Sequence, residues 1–364
     1  MLTKTKLFPV ILLCCVFNTG ICQGVNDIKL KDFKPVSIYK IPVTTIAKAK
    51  YPVVDFHSHD YAKSDAEIEA WIKTMEAANI AKTVILSYST GKAFDSVYAK
   101  YSRYDKFEIW CGFDFTGYDK PGWEEKAVAE LERCYKKGAK GVGELGDKGL
   151  GEFYSKPTPG YGMHINNPRM KPLIKKCGEL KMPISIHVAE DAWMYLNADS
   201  TNDGLMNAGK WKVDMTKKGI IGHDELVTTL EEAVRDNPGT TFIACHLANT
   251  CSDLNMLGKI LDRYPNLFAD IAARYGELAP IPRFVNAFME KYGDRLVYGT
   301  DMGMDKDMYE TTFRILESAD EHFYKHDMFG YHWPLNGFAL SDKTLEKIYS
   351  GNSKKIRPAL LTKK

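Results

Sequence analysis

Charge of one sign is nearly absent from this 364-residue sequence: 49 lysines and arginines stand against 47 aspartates and glutamates, a net charge of +2. No field results that would gather nucleic acid or an anionic membrane, so a small molecule is the expected partner. Long apolar runs are missing too. The run Leu7–Phe17 falls short of the ~20 residues a spanning helix needs, no later segment supplies one, and no membrane span is expected. Cysteines are few beyond the first two dozen residues. Cys111, Cys134, Cys177, Cys245 and Cys251 are odd in number, lie in dissimilar contexts and include no CxxC pair, so neither a disulfide framework nor a cysteine-based zinc site is expected. Cys111 and Cys245 fall in strand-like apolar runs and Cys134 and Cys177 in helical ones, where a thiol serves as a small buried hydrophobe. There is no fixed-period repeat and no low-complexity tract. What remains, 45% hydrophobic and 26% charged, is the composition of a globular chain able to bury a sizeable core.

Lys4 and Lys6 precede the apolar run, and the small polar stretch from Asn18 to Gly20 follows it. The pattern predicts a secretory signal peptide over residues 1–22 and an exported protein, periplasmic or secreted. Lipid anchoring at Cys22 is the weaker alternative, because Ile21 before it is bulkier than that processing prefers. A polar arm is expected over 23–50 and one domain over 51–364, closing in a C-terminal helix.

Within that domain short apolar strands alternate with amphipathic helices. Strands are predicted at Tyr51–His59, Thr83–Ser89, Phe107–Phe115, Lys140–Gly146, Pro183–Glu190, Thr241–Asn249, Leu267–Arg274 and Leu296–Gly303. Helices are predicted at Asp65–Ile80, opened by a capping box of Ser64 and Glu67, and at Asp95–Tyr104, Trp123–Lys137, Asn167–Leu180, Asp224–Asn237, Ser252–Tyr264, Pro282–Tyr292 and Met308–Tyr324. Such a succession predicts parallel strands joined by right-handed crossovers, and eight is the number at which the sheet closes. The expected fold is an α/β (β/α)8 TIM barrel with an N-terminal arm, a doubly wound open sheet being the alternative. The connections 147–166 and 191–223 exceed the ~12–15 residues of ordinary loops and should stand at the C-terminal mouth, where this fold carries its active sites.

Polar residues recur at the strand ends. Asp55, His57 and His59 alternate with Val54, Phe56 and Ser58, which by strand periodicity puts all three on the inward face. His187 follows Ile184 and Ile186, His246 continues the alternation of Phe242 and Ala244, Glu144 follows Val142, and Asp301 follows Val297 and Gly299. In a closed barrel these ends ring one mouth, so four histidines and two carboxylates would converge. A mixed imidazole and carboxylate set suits Zn²⁺ first, and also Mn²⁺, Fe²⁺ or Co²⁺, but not Mg²⁺ or Ca²⁺. Metal-assisted hydrolysis follows from such a site.

The series DFHSH (55–59), GVGELGDKG (141–149), SIHVAE (185–190), ACHLAN (244–249) and YGTDMG (298–303), with DIAARYGEL (270–278) and LEKIYSGNSKKI (345–356), resembles the amidohydrolase superfamily and its amidohydrolase-related branch. The resemblance runs from about Tyr51 to Ile356. It implies a metal held by His57, His59, His187 and Asp301, with Asp301 also accepting a proton from the attacking water. It implies that His246 polarises the substrate or orients the water in one-metal relatives, and ligates in two-metal relatives. Glu144, where those relatives often carry a bridging lysine, resembles the glutamate of TatD-type hydrolases. One zinc per chain is the expectation.

Arg274 is a candidate clamp for a substrate carboxylate or a member of an ion pair. Trp193, with Tyr195 and Trp211, either stacks on substrate or pins its loop. Asp147 and Lys148 read as a solvated loop, and His164, His223, His322, His326 and His332 as solvated or hydrogen-bonded. The expected activity is hydrolysis of a lactone, ester or amide. A decarboxylase, a two-metal phosphodiesterase and a non-catalytic ligand-binding barrel are the rivals. The oligomeric state is open, a homo-oligomer included.

Overall fold

The computed structural model describes residues 24–361. The signal-peptide span 1–22, with the lipid-anchor alternative at Cys22, lies outside the described residues. Ten strands appear among those described: β1 (Val53–Ser58), β2 (Ile80–Leu86), β3 (Phe107–Trp110), β4 (Val142–Asp147), β5 (Glu152–Tyr154), β6 (Gly160–Tyr161), β7 (Ile184–Val188), β8 (Phe242–Ala244), β9 (Leu267–Asp270) and β10 (Leu296–Val297).

Parallel pairing runs β1–β2–β3 and β4–β7–β8–β9–β10. The first seam is closed by a parallel bridge between Cys111 and Val142. The second is closed by Phe56 N donating to Tyr298 O (2.9 Å) and by Thr300 N and Asp301 N donating to His57 O (3.2 and 2.9 Å). The chain is therefore an eight-stranded (β/α)8 barrel, not an open sheet. The remaining strands, β5 and β6, form an antiparallel hairpin on the end of β4, inside what the sequence suggests is an irregular loop.

Helix boundaries move where local chemistry stops them. The first helix, α1 (Asp65–Ala78), starts on the Ser64 cap as expected but ends at Asn79, whose left-handed φ of 67° turns the chain straight into β2. That is why β2 begins three residues before the predicted strand. Helix α2 (Gly91–Tyr101) starts earlier than predicted. The helix predicted to reach Tyr324 stops at Glu317, where the Ser318 hydroxyl donates to Arg314 O (2.7 Å).

Two apolar layers flank the sheet, and in β1 and β8 their faces are the reverse of those expected from the sequence, Val54, Phe56 and Ile243 pointing inward and Phe242 and Ala244 outward. Ile184, Ile186 and Val188 face the helices in the outer layer, whereas Val54, Phe56, Val84, Leu86, Trp110, Ile243, Phe268 and Val297 fill the barrel. Ile356 and Leu360, from the C-terminal helix and the turn after it, join that inner cluster. The arm before β1 is tied down by polar contacts: Thr44 donates to Asp320 through both N and Oγ1 (2.7 Å each). All five cysteines among the described residues are buried and free, and no described helix is long and apolar enough to cross a membrane. Truncating Ile356 to Ala should leave a void in the inner cluster and lower unfolding free energy by about 2–5 kcal/mol, read by urea denaturation. A cost near zero would show that the C-terminal segment does not seal the barrel.

Candidate active site

The mouth of the barrel gathers the histidines as expected, but by less regular backbone. Pairing of β1 with β2 slips between Asp55 and Ser58. The strict alternation that would place Asp55 beside His57 and His59 is broken there. Asp55 instead accepts from Thr300 Oγ1 (2.7 Å), Thr300 N (3.1 Å) and His57 N (3.1 Å), and burial pushes its carboxyl up to about 7. Nor is His246 carried on a strand: β8 ends at Ala244, and His246, Leu247, Ala248 and Asn249 are all left-handed, with φ of 54–57°. Left-handed backbone costs a non-glycine residue roughly 1–2 kcal/mol, so four in succession need external support. Asp270 Oδ1 accepts from His246 N (2.9 Å), and Asn249 Nδ2 donates to Val188 O (2.9 Å) and Ala189 O (3.2 Å).

Three of the four histidines are oriented in the same way. His57 Nδ1 donates to Asp270 Oδ2 (2.9 Å), His59 Nδ1 to Leu86 O (2.9 Å) and His246 Nδ1 to Ala272 O (2.9 Å). A carbonyl or carboxylate oxygen only accepts, so each ring keeps a proton on Nδ1 and turns Nε2 inward. Around those Nε2 atoms stand Glu144 and Asp301. Glu144 Oε2 lies 3.6 Å from His57 Nε2 and 3.4 Å from His59 Nε2, while its Oε1 lies 2.9 Å from His187 Nδ1 and 3.3 Å from His246 Nε2. Asp301 Oδ1 lies 3.1 Å from His59 Nε2, and Oδ2 lies 3.8 Å from His246 Nε2.

This donor set fits a divalent cation. Carbonyl- or carboxylate-anchored imidazoles are the arrangement by which proteins aim histidine at a metal. The buried His57 Nε2 also has no hydrogen-bond partner, an expensive state unless something electrophilic sits before it. His187 departs from the pattern. Its Nδ1 meets Glu144, and its buried Nε2, 3.8 Å from Glu190 Oε2, is unpartnered.

Burial opposes charge throughout, yet the mutual pairing wins. Against desolvation, Asp270 and the other carboxylates hold His57 well above its usual pKa, and Asp301 and Glu144 raise His59 to about 9. Glu144 and Asp301 are held well below the carboxylate range, His57 being the chief cause in each case after burial is overcome. Of the four imidazoles His246 alone is lowered, by its burial.

Several side chains land differently from expectation. Arg274 is only slightly exposed and has its charge already matched, 3.1 Å from Asp191 Oδ2 and 3.6 Å from Glu277 Oε1. It lines a cavity of about 240 Å³ that also reaches His187, His246 and Asp301. Trp211 lines that cavity, but Trp193 does not; Trp193 and Tyr195 pack against Met194, Ala208 and Val213 within their own loop. Asp147 is buried against His164 Nδ1 (2.9 Å) rather than solvated, and Lys148 pairs with Glu190 (2.9 Å). Two partners escape sequence reasoning: Asp270, and Tyr61, whose hydroxyl donates to Asp301 Oδ1 (3.1 Å). The signal for Asp270 is present in the sequence, an acid two residues after Phe268 on the inward face of a predicted strand.

A family model described as amidohydrolase matches residues 54–356. A putative amidohydrolase from Staphylococcus aureus superposes with a TM-score of 0.53 at 15% identity, covering 84% of this chain and 98% of that one. The 4-oxalomesaconate hydratase from Rhodopseudomonas palustris gives 0.50 at 15% identity, covering 85% and 96%. The 5-carboxyvanillate decarboxylase from Novosphingobium aromaticivorans, complexed with manganese and a nitrobenzoic acid, gives 0.50 at 13%, covering 86% and 99%. At these identities the likeness carries the fold. No curated protein matches the chain in sequence.

Asp270→Asn, which weakens the anchor on His57 Nδ1, should lower divalent-metal affinity about 10–100-fold in a chelator competition. Unchanged affinity would remove His57 from the ligand set. For the chelated protein the pH effect has a definite sign. His59, raised from 6.5 to about 9, stabilises fully below 6.5 and loses that contribution as pH climbs through 9, whereas the depressed Glu144 and Asp301 stay ionised across the window. The melting temperature of chelated protein should fall over that range, and the fall should shrink in His59→Gln. An equal fall in both proteins would contradict the pairing.

Proposed function

Because this chain belongs to the amidohydrolase family, whose model spans residues 54–356, we propose that it is a metal-dependent hydrolase acting on a lactone, ester or amide in a small molecule. The observation that carries this reading is the convergence of the His57, His59 and His246 Nε2 atoms, each ring anchored through Nδ1, on two ionised carboxylates. His57, His59, His187 and Asp301 would hold one divalent ion, zinc being our first choice. When bound, that ion supplies Lewis acidity, polarising a carbonyl oxygen and making a water acidic enough to attack near neutral pH.

The chain's own residues supply the rest. Asp301, ionised and reached from the smaller cavity, accepts the proton of the attacking water. Tyr61 and His59 both converge on its Oδ1, which leaves Oδ2 as the freer oxygen for that proton. His246 is neutral and presents a lone pair, since its Nδ1 proton is committed to Ala272 O. In that state it serves as an acceptor or a ligand, and it donates to substrate only after gaining a proton. The leader-like segment at 1–22 is our ground for placing the enzyme outside the cytoplasm.

One observation favours a second reading. The two oxygens of Glu144 face different histidine pairs, His57 with His59 and His187 with His246, which is how a carboxylate sits between two cations. Metal per chain, counted by plasma mass spectrometry in the purified protein and in Glu144→Ala, separates the two. We expect one ion per chain in both; two falling to one in the variant would establish the two-metal reading. Asp301→Asn should lower kcat/KM about 10²–10⁴-fold on a cleaved ester or lactone. Proton release in a pH-stat is the expected signature, and carbon dioxide release in its place would make the protein a decarboxylase.

A further inference from the structure

Beside the metal centre opens a second and larger cavity, about 690 Å³, reached by His59 and Glu144 and walled by the β5–β6 hairpin. The hairpin is seated by Phe153, buried 5.3 Å from Phe115, and by its close approach to Gly146, where a Cβ would stand 3.1 Å from Tyr154 Cβ. Strand alternation then leaves Tyr154 on the cavity side. Beyond it the backbone pairs with the end of β2: Lys156 N donates to Tyr88 O (2.8 Å) and Thr90 N to Lys156 O (3.0 Å).

Tyr88 is held in the left-handed region at φ 41°, uncommon for a bulky residue. The space that permits it comes from Gly112, where a Cβ would fall 2.5 Å from Tyr88 O. Backbone strain of this kind gathers at ligand sites, and here it aims an aromatic ring into the mouth. The Tyr88 ring lies 5.8 Å from that of His59 and 5.1 Å from that of Tyr154. Lys156 Nζ stands 4.7 Å from the Tyr88 ring centre and 3.3 Å from its hydroxyl.

Lys156 differs from the other cations at the mouth. Arg274 is matched by Asp191 and Glu277, and Lys148 by Glu190, but no described carboxylate lies within ion-pair distance of Lys156. Of the acids lining this cavity, Asp60 is engaged by Lys100 (2.5 Å), Glu144 by the imidazoles, and Glu152 makes no ion pair with Lys156.

We propose that Tyr88, Tyr154 and Lys156 form the specificity wall of the enzyme, receiving a planar portion of the substrate that ends in a negative charge. The proposal rests on the reading of the metal centre as the reacting site, and it deepens that reading by naming the substrate class. The planar group packs on the tyrosine rings, its anionic end meets Lys156, and the bond to be cleaved lies toward His59 and Asp301.

The test is direct binding to the metal-loaded full chain by calorimetry, with benzoate as probe and benzamide as its neutral counterpart. Lys156→Gln should weaken benzoate by about five- to tenfold and leave benzamide unchanged, with Lys156→Arg restoring the preference. Tyr154→Ala should weaken both. Lys156 is exposed, so its variants should fold, and circular dichroism checks this. Benzoate binding as tight in Lys156→Gln as in wild type, or a preference that vanishes on metal removal and ignores Lys156, would overturn the proposal. Loss of hydrolysis alone, with the Lys156 effect intact, would count against the hydrolase reading and leave the wall standing.

Discussion

Asp270 is completely buried at the end of β9, and its carboxylate accepts from His57 Nδ1 through one oxygen and from His246 N and Ala272 N through the other. A buried carboxylate is tolerable only when its oxygens are satisfied, and here every donor that satisfies it is part of the site or of the turn beside it. The bond to His57 fixes its ring so that Nε2 faces Glu144 and Asp301. The bond to His246 N supports the left-handed turn that lifts the other ring to the mouth. Burial works against the charge, yet the pKa of Asp270 is lowered, with His57 the chief cause. The barrel and the site are thus coupled through one residue.

Around that anchor the strand ends give up regular geometry. Non-glycine residues with positive φ follow β2 (Tyr88), β7 (Ala189), β8 (His246 to Asn249), β9 (Ala273) and β10 (Asp301). A regular strand would send its next side chain along the barrel wall. A left-handed residue turns the chain and presents the side chain across the opening instead. The strain is borne by a frame with little freedom to relax: Gly299 packs so closely under His57 that a Cβ there would stand 2.8 Å from His57 Cβ. Hydrogen bonds from loop and strand partners hold the turns, which makes the mouth rigid where chemistry needs fixed distances.

The two long connections divide the remaining work. The loop after β7 folds on its own aromatic cluster and sets Asp191 against Arg274, which follows β9. The hairpin after β4 brings aromatic surface and a cation without a described acidic partner to the cavity that His59 and Glu144 line. An arginine with balanced charge is structural or positioning in character, whereas an unbalanced lysine over an aromatic wall is available to a ligand. The contrast between them is a property of contacts between loops.

Much of this was legible in the sequence, because it rests on local chemistry. The eight strand–helix units, the Ser64 cap, and the outward set Ile184, Ile186 and Val188 with His187 opposite them follow from side-chain period and propensity. The odd number and dissimilar apolar contexts of the cysteines pointed to the free, buried thiols found among the described residues. Other features were decided only by the fold. The slip in β1 pairing that turns Asp55 toward Thr300 arises between strands, and no pattern within one strand records it. The left-handed turn at His246 occupies residues with no conformational bias toward it, so only its partners Asp270 and Val188 explain it. That Arg274 meets Asp191 as well as its near neighbour Glu277, while Lys156 meets no described carboxylate, depends on contacts between segments distant in sequence. Residue type thus determined which groups could bind a metal, while long-range hydrogen bonds and ion pairs decided which atom of each group faces the mouth and which cation is left without an acidic partner.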